Sequence, residues 1–193
     1  MNKNEYIILQ GFHESSGNYA ISSIRLEDAE PIRGWRNDQI TALRQSHSLT
    51  KEEQDNYFKS VILPSFSKKN PDQVLVRFTH NKELIGYGGL VHINWKDLRG
   101  EVSFLLETKR SKNVQKYCAE IGIFLDLLKR CAFQNLGLHK ITTYSYAHRT
   151  FHVDAIEDAG FIREGILRED TKINDKWVDA ILASCLKSEF EKP

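Results

Sequence analysis

Apolar and polar residues along the chain follow two periods, one typical of strands and one typical of helices. Residues 101–106 (EVSFLL) favour a strand that leads into a polar loop. Beyond the loop, apolar positions recur at helical spacing over residues 117–132, which predicts a long amphipathic helix. Asn113 is its predicted N-cap, and Asn135 with Gly137 predicts its end. A strand that feeds the N-terminus of a long helix is therefore the centre of the predicted fold.

The same periods predict the other elements. Strands are predicted over residues 6–10 (a short edge strand), 21–26, 74–79, 84–93, 140–146, 162–173 and 176–187. Helices are predicted over residues 27–35, from the capping box at residues 50–53 to Pro64, and over residues 150–159. Short polar turns at residues 80–83 and 174–175 indicate hairpins, and residues 13–18 are a predicted loop. The whole predicts one α+β domain with a mixed sheet.

Composition narrows the class of protein. The 193 residues are 40% apolar and 27% charged, as in a single globular domain, and the net charge of +1 excludes a broad nucleic-acid-binding surface. No apolar run is long enough to span a membrane and no secretory signal is visible, so we expect a cytoplasmic protein. Cys118, Cys131 and Cys185 lack metal-ligand spacing and the histidines do not cluster, so we expect buried thiols and no metal.

A basic loop lies where the long helix begins. Lys109, Arg110, Lys112 and Lys116 surround the predicted helix N-terminus. Open amides and the helix dipole favour anions at such a position, so the loop is a candidate phosphate site. The alternative, a solvated basic loop beside an ordinary core helix, stays open at this point.

Four motifs carry a resemblance to a known family. They are residues 35–38 (WRND), 86–89 (GYGG), 132–141 (AFQNLGLHKI) and 157–165 (EDAGFIREG). In this order and on these elements they resemble the GNAT N-acetyltransferase superfamily, and its RimJ/RimL-like branch in particular, over residues from about 20 to 187. The resemblance implies a GNAT fold. That fold is a mixed, mostly antiparallel sheet of six to seven strands with helices on both faces and a V-shaped splay between the central strands. It implies one domain over residues 1–193, with residues 1–19 as an N-terminal extension.

The resemblance also implies acetyl-CoA as co-substrate and a place for it. Backbone groups of the strand at Phe104, Leu105 and Leu106 would meet the thioester and pantetheine, and Arg149 stands where the family often has an Asn that bonds the pantetheine. The family's glycine-rich phosphate loop is absent here, since the equivalent residues 115–120 (QKYCAE) contain no glycine. Side chains of Lys109, Arg110, Lys112 or Lys116 would then have to replace bare backbone as point charges. A pocket that no longer binds CoA is the alternative.

Two residues are candidates for proton transfer. Glu101 resembles the family's general base, with a structural or solvent-facing carboxylate as the alternative. The family's proton-donating Tyr is replaced by Ile156, and one turn earlier lies His152, an imidazole that titrates near neutral pH and is a candidate donor. Surface or capping roles are the alternative for His152 and for the weaker candidate His148.

The acceptor amine is expected against the first helix. Trp35, Arg36 and Asn37 lie where the family walls this site, and Arg36 suits a carboxylate or phosphate on the acceptor. A structural ion pair is the alternative for Arg36, and Arg44 and Tyr57 are weaker candidates.

The sequence therefore predicts an acetyl-CoA-dependent N-acetyltransferase that acts on a small-molecule primary amine by direct transfer, with an amino-sugar precursor as one candidate. A RimJ-like protein N-terminal acetyltransferase and a non-catalytic acyl-CoA-binding or interaction module are the alternatives. We expect no nucleic-acid or membrane partner. The long terminal hairpin leaves an edge at which a homodimer is one option.

Overall fold

The computed structural model describes residues 5–43 and 45–191, in which eight strands form one sheet of order β1-β2-β3-β4-β5-β6-β8-β7. The strands are β1 (Glu14–Ser16), β2 (Tyr19–Ser23), β3 (Val74–His80), β4 (Glu83–Asn94), β5 (Arg99–Leu106), β6 (Lys140–Tyr146), β7 (Ile162–Ile173) and β8 (Lys176–Leu186). All neighbours are antiparallel except β5 and β6, which are parallel. The predicted mixed α+β sheet is confirmed, with eight strands instead of six to seven.

The helices connect these strands. They are α1 (Ala29–Asp38), α2 (Lys51–Tyr57), α3 (Leu63–Ser65), α4 (Thr108–Ser111), α5 (Val114–Arg130), α6 (Thr150–Asp158) and α7 (Lys187–Phe190). Asn113 caps α5 as predicted, because its side chain accepts a hydrogen bond from the amide of Lys116. The Thr50 capping box also forms at the start of α2.

The helices cover both faces of the sheet. On one face, Phe124 of α5 packs against Phe78 of β3 and Phe104 of β5. Because strand side chains alternate, the neighbouring residues of β4 and β5 face the other way, toward α1 and α2. Ile32 of α1 and Phe58, in the π-helical turn after α2, are buried there. The core is therefore two apolar layers divided by the sheet.

Glycines let β4 approach its neighbours closely. A Cβ placed on Gly88 would lie 2.2 Å from the carbonyl oxygen of Ser103 and 2.7 Å from the ring of Phe124. No side chain fits in that space, so the glycine at this position permits β5 and α5 to pack directly on β4.

The central strands separate as the family resemblance implies. β5 and β6 pair only through Arg99, Gly100 and Glu101, opposite Lys140, Ile141 and Thr142. Beyond these three pairs β5 continues to Leu106 on β4, whereas β6 continues to Tyr146 on β8. A wedge-shaped gap therefore opens between residues 102–106 and residues 143–146.

Two predicted elements are wrong. Residues 6–10 do not form an edge strand; Ile7–Leu9 is a 3-10 turn, since Tyr6 and Leu9 are both buried at one-turn spacing. The sheet edge is instead β1, within the predicted loop. The helix that begins at Lys51 does not end at Pro64 but continues to Ser65. A π-helical turn at Phe58–Ile62 shifts the hydrogen-bond ladder ahead of the proline, which allows this.

Candidate active site

The gap between β5 and β6 is a cavity of about 220 Å³. Its walls come from both diverging strands, from α1 and the segment after it, and from the start of α6. The lining residues are Arg36, Ala42, Leu43, Glu101, Val102, Ser103, Phe104, Tyr144, Ser145, Tyr146 and Arg149. We call this cavity the cleft. It brings together predicted residues from three separate stretches of the chain, which are Arg36, Glu101 with Phe104, and Arg149.

The backbone of β5 presents polar groups to the cleft. The amide of Glu107 donates to the carbonyl of Ile85 on β4. In an antiparallel pair, every second residue directs its backbone groups to the neighbouring strand, so this bond shows which residues of β5 do so. The backbone amides and carbonyls of residues 103 and 105 point toward β4. Those of Val102, Phe104 and Leu106 therefore point toward the gap. The Leu106 carbonyl accepts a hydrogen bond from the side chain of Gln39, 2.9 Å away.

This alternation corrects one predicted residue. The amide of Leu105 faces β4 and its side chain is buried, so Leu105 offers no donor to the cleft. Phe104 and Leu106 keep the predicted orientation of their amides.

Glu101 lies at the narrow end of the cleft, on the last residue of β5 that pairs with β6. Its Oε2 is 3.1 Å from Nδ1 of His92 on β4. A register shift between Val91 and Asn94 and a left-handed backbone at His92 (φ +50°) place that imidazole beside the carboxylate. With the carboxylate accepting, the Nδ1–H of His92 donates to Glu101.

A partly buried polar cluster joins the first turns of α5 and α6. Nδ1 of His152 and the phenol oxygen of Tyr117 are 2.7 Å apart, and Nη2 of Arg149 donates to the same phenol oxygen at 3.2 Å. The ring of Tyr117 also packs edge-on against Phe104. Of the three polar residues, only Arg149 lines the cleft.

The environment of His152 corrects its predicted role. Burial, and then the nearby charge of Arg149, lower the pKa of this imidazole from 6.5 to about 3. His152 is therefore neutral near pH 7 and cannot act there as an imidazolium that protonates a thiolate. Burial also raises the pKa of Tyr117, so its phenol stays protonated. We interpret His152 and Tyr117 as positioning residues for Arg149.

Arg110 is a third correction. Its side chain forms ion pairs with Glu107 and with Glu120, a carboxylate that is only 1% exposed. The phenol of Tyr19 donates to the same carboxylate. Arg110 thus neutralises carboxylates of the protein itself and is not available to a phosphate.

The other basic residues of the loop remain on the surface. Lys109, Lys112 and Lys116 are exposed, and no carboxylate lies within 4.0 Å of them among the described residues. They surround the N-terminus of α5, whose capping residue satisfies the amide of Lys116. The arrangement suits the predicted anion site, with three lysines instead of four basic residues.

Of the predicted acceptor residues that the structure describes, only Arg36 lines the cleft. Asn37 is occupied by the backbone of Leu49, to which it both donates at 2.9 Å and accepts at 2.8 Å. Trp35 packs against the core. Tyr57 lines a neighbouring cavity, and Arg44 falls outside the described residues.

That neighbouring cavity, of about 330 Å³, lies between α1, α2 and the sheet, and shares Arg36 and Ser103 with the cleft. We call it the side cavity. A larger cavity of about 530 Å³ lies near Phe12 and Phe66, away from the splay, and contains none of the predicted site residues. The predicted site residues therefore concentrate at the cleft and not at this larger cavity.

Sequence reasoning missed several contributors. His92 could be recognised only from the bulged register that places it beside Glu101, and Tyr117 looked like a core position of α5. Ser145 is buried within the cleft wall, and its hydroxyl has no hydrogen-bond partner among the described residues. A buried hydroxyl without a partner is a position that a bound molecule can satisfy.

A sequence profile of the acetyltransferase (GNAT) domain family, Acetyltransf_4, matches residues 21–182. The chain belongs to the GNAT acetyltransferase family. It is therefore an N-acetyltransferase, in agreement with the prediction from the four motifs. No protein of curated function matches the chain significantly.

Solved structures with the same fold support this placement. Spermidine N-acetyltransferase from Vibrio cholerae in complex with CoA and spermine superposes with a TM-score of 0.78 and 19% identity, covering 92% of this chain and 100% of that one. A chimera of SpeG from Vibrio cholerae and hSSAT gives a TM-score of 0.77 and 19% identity, covering 91% and 99%. At this identity the likeness shows the fold of the GNAT acetyltransferases.

In the part of the chain that the structure describes, no helix is long and apolar enough to cross a membrane. Within the same residues, no three His, Cys, Asp or Glu side chains form a group that would hold a metal ion.

Proposed function

We propose that this GNAT enzyme transfers the acetyl group of acetyl-CoA directly to a primary amine of a small molecule, with the cleft as the reaction site. The observation that carries the proposal is the separation of β5 from β6 after Glu101, with a carboxylate at its narrow end. Outward amides and a candidate base thus share one cavity of about 220 Å³.

The residues of the cleft fit the thioester arm. The amide of Phe104 points into the gap, where it would donate to the thioester oxygen as negative charge develops there. Ser145 on the opposite strand holds a buried hydroxyl without a partner among the described residues. Arg149, fixed by Tyr117, lies at the same wall. Groups on both strands can therefore hold one molecule between them.

The diphosphate end of CoA fits a different part of the protein. Lys109, Lys112 and Lys116 surround the N-terminus of α5, where the helix dipole adds to their positive charge. Lysines act as point charges and need no bare backbone. This arrangement supports CoA binding without the family's glycine-rich loop.

Glu101 is the proposed general base. It accepts a proton from the attacking amine, directly or through a water molecule, as the new C–N bond forms and the C–S bond breaks. Glu101 then releases this proton, through water in the cleft, to the departing CoA thiolate, since His152 is neutral. Positioning of the two reactants supplies most of the remaining acceleration.

The size of the two cavities favours a small molecule over a protein N-terminus as acceptor. Together the cleft and the side cavity are lined by α1, α2 and the sheet, and measure about 220 and 330 Å³. An amino-sugar precursor fits this size, and the RimJ-like alternative needs an extended peptide groove. The structural neighbours are spermidine N-acetyltransferases, one of them in complex with CoA and spermine, and these polyamines are also small amines.

Two measurements test the proposal. Calorimetric titration with acetyl-CoA should give saturable binding, and a thiol-release assay should show turnover with small primary amines but not with peptides. Binding without turnover on any amine would favour an acyl-CoA-binding module, and turnover on peptides alone would favour the N-terminal acetyltransferase. Absence of both binding and turnover would refute the proposal.

We further propose that β7 mediates a homodimer. β7 is the edge strand of the sheet, and Ile162 and Ile166 on it are each more than half exposed. Trp177 on the paired strand is 61% exposed. An exposed apolar edge is a site for strand or side-chain contact with a second copy.

A further inference from the structure

Arg36 lies where the cleft and the side cavity meet, since it lines both. It belongs to the last turn of α1, and its guanidinium is fixed by two uncharged groups. Nε donates to Oε1 of Gln45 at 3.0 Å, and Nη1 donates to the phenol of Tyr87 at 2.8 Å. The side chain is thus held in place between the two cavities.

This arginine lacks a counter-charge. Among the described residues no carboxylate lies within 4.0 Å of Arg36, whereas Arg33 on the same helix is paired with Glu30 and Arg77 with Asp28. A guanidinium has five N–H donors, and the two hydrogen bonds above use two of them. Three donors and a full positive charge therefore remain for a group that enters the cavities.

The side cavity is not built for a polycation. Its one carboxylate, Glu53, accepts hydrogen bonds from the backbone and the hydroxyl of Thr50 and contacts His47. Apart from Arg36, the rest of its wall is neutral, with apolar side chains at one side that include Ile24, Ile32, Phe58 and Leu75. A molecule with several ammonium groups would meet Arg36 and find no unengaged carboxylate there.

We propose that the acceptor amine also carries an oxyanion, a carboxylate or a phosphate, which Arg36 binds. This inference rests on the proposed transferase function. The amine then lies toward Glu101 in the cleft, the oxyanion lies on the remaining donors of Arg36, and the rest of the molecule fills the side cavity. A charge-assisted hydrogen bond to a fixed guanidinium selects such an acceptor against its uncharged analogue.

Matched pairs of amines test the selection. The pairs are leucine with leucinamide, phenylalanine with phenylalaninamide, and glucosamine 6-phosphate with glucosamine; spermidine is the polycation. In the wild-type enzyme, the anionic member of a pair should have the higher kcat/KM, and the pair that shows it distinguishes carboxylate from phosphate. Equal kcat/KM within every pair, or a preference for spermidine, would overturn the inference.

Arg36→Gln isolates the residue. We expect kcat/KM for the preferred anionic amine to fall about tenfold to a hundredfold, as for loss of a hydrogen bond to a charged group. The uncharged partner should change by less than about threefold, on the same scale. Arg130→Gln removes the same charge from α5, at a residue that lines neither cavity, and should leave both values unchanged. A similar loss for both members of the pair would show that Arg36 acts only on the structure.

Binding separates this inference from the proposed function. Acetyl-CoA affinity should be the same in wild type and Arg36→Gln. If no amine of the panel is acetylated, titration with the same pairs still reports the selection, because the anionic member should bind more tightly to wild type only. Binding that does not discriminate between the members would refute the inference even if acetyl transfer is observed.

Discussion

His92 and Glu101 approach within 3.1 Å across neighbouring strands, at the point where the sheet begins to divide. The contact depends on a bulge that turns one residue of β4 into the left-handed region. Backbone strain of this kind persists only where the surrounding structure enforces it, and it often accompanies functional sites. The pair supports the assignment of Glu101 as the base and of His92 as the residue that orients it.

Replacing Glu101 should lower turnover without weakening the binding of acetyl-CoA. Glu101→Gln keeps the shape of the side chain but cannot take a proton, and loss of a general base costs about 10²–10⁴-fold in kcat. The residual rate should rise with pH, as more of the acceptor becomes free amine. Steady-state rates from pH 7 to 10, with calorimetric titration of acetyl-CoA, measure both effects. A variant with wild-type kcat would remove Glu101 from the mechanism.

His152 should make the fold less stable in acid. Its pKa is lowered from 6.5 to about 3 in the folded chain, so between these values the unfolded chain binds a proton that the folded chain does not. The free energy of unfolding therefore falls as the pH drops from 6.5 toward 3, and the contribution is constant above and below that window. In His152→Gln the loss between pH 7.5 and pH 5, measured by urea unfolding, should be smaller than in wild type.

The same imidazole should leave the pH dependence of the rate unchanged. Since His152 is neutral throughout the range of assay, the ratio of kcat/KM in wild type to that in His152→Gln should be constant from pH 6 to pH 8. An inflection of that ratio near pH 6.5 would restore the imidazole as a proton donor.

The loop lysines should contribute to the binding of CoA and not to that of the acceptor. Changing Lys109, Lys112 and Lys116 together to Gln should weaken the binding of acetyl-CoA about tenfold, because each exposed charge contributes roughly 0.5 kcal/mol. The difference should shrink at high salt, and the acceptor KM and the unfolding midpoint should stay the same. Exposed lysines elsewhere supply the control triple, which is Lys59, Lys69 and Lys96. Equal weakening in the control would argue against a phosphate site.

Arg110 should behave in the opposite way. Arg110→Gln leaves the buried carboxylate of Glu120 without its cation, a change that costs about 3 kcal/mol or more. Urea unfolding measures the loss, and acetyl-CoA affinity of the folded fraction should be close to wild type. A stable variant with weak CoA binding would return Arg110 to the phosphate site.

Two glycines provide a matched pair for the close packing at β4. Gly88→Ala places a methyl group 2.2 Å from the backbone of β5, so we expect a loss of about 3 kcal/mol, the upper end of overpacking costs. Gly122→Ala on α5 meets no atom within 4 Å and should stabilise the fold by about 0.5–1 kcal/mol. Thermal unfolding of both variants checks the two signs.

Much of this architecture was predictable because its signals are local. The period of apolar residues, the Asn113 cap and the polar turns each depend on a few neighbouring residues, and the structure contains them. Both hairpin turns, for example, have positive φ at their two central residues, Asn81 with Lys82 and Asn174 with Asp175.

The individual site residues were harder because their roles depend on distant partners. Arg110 looked like a phosphate ligand until the fold placed Glu120 beside it, and the basicity of His152 depends on burial by another helix. Asn37 is likewise occupied by Leu49, twelve residues away. Charge type can be read from sequence, but the availability of a charge is a tertiary property.

The short pairing of β5 with β6 divides the sheet into two halves joined by a seam of three residue pairs. A molecule that bridges the gap would contact both halves, and its binding free energy would add to the stability of that seam. Substrate occupancy and the cohesion of the two halves then form one linked equilibrium. Amide hydrogens along the seam should consequently exchange more slowly once the enzyme is saturated with acetyl-CoA.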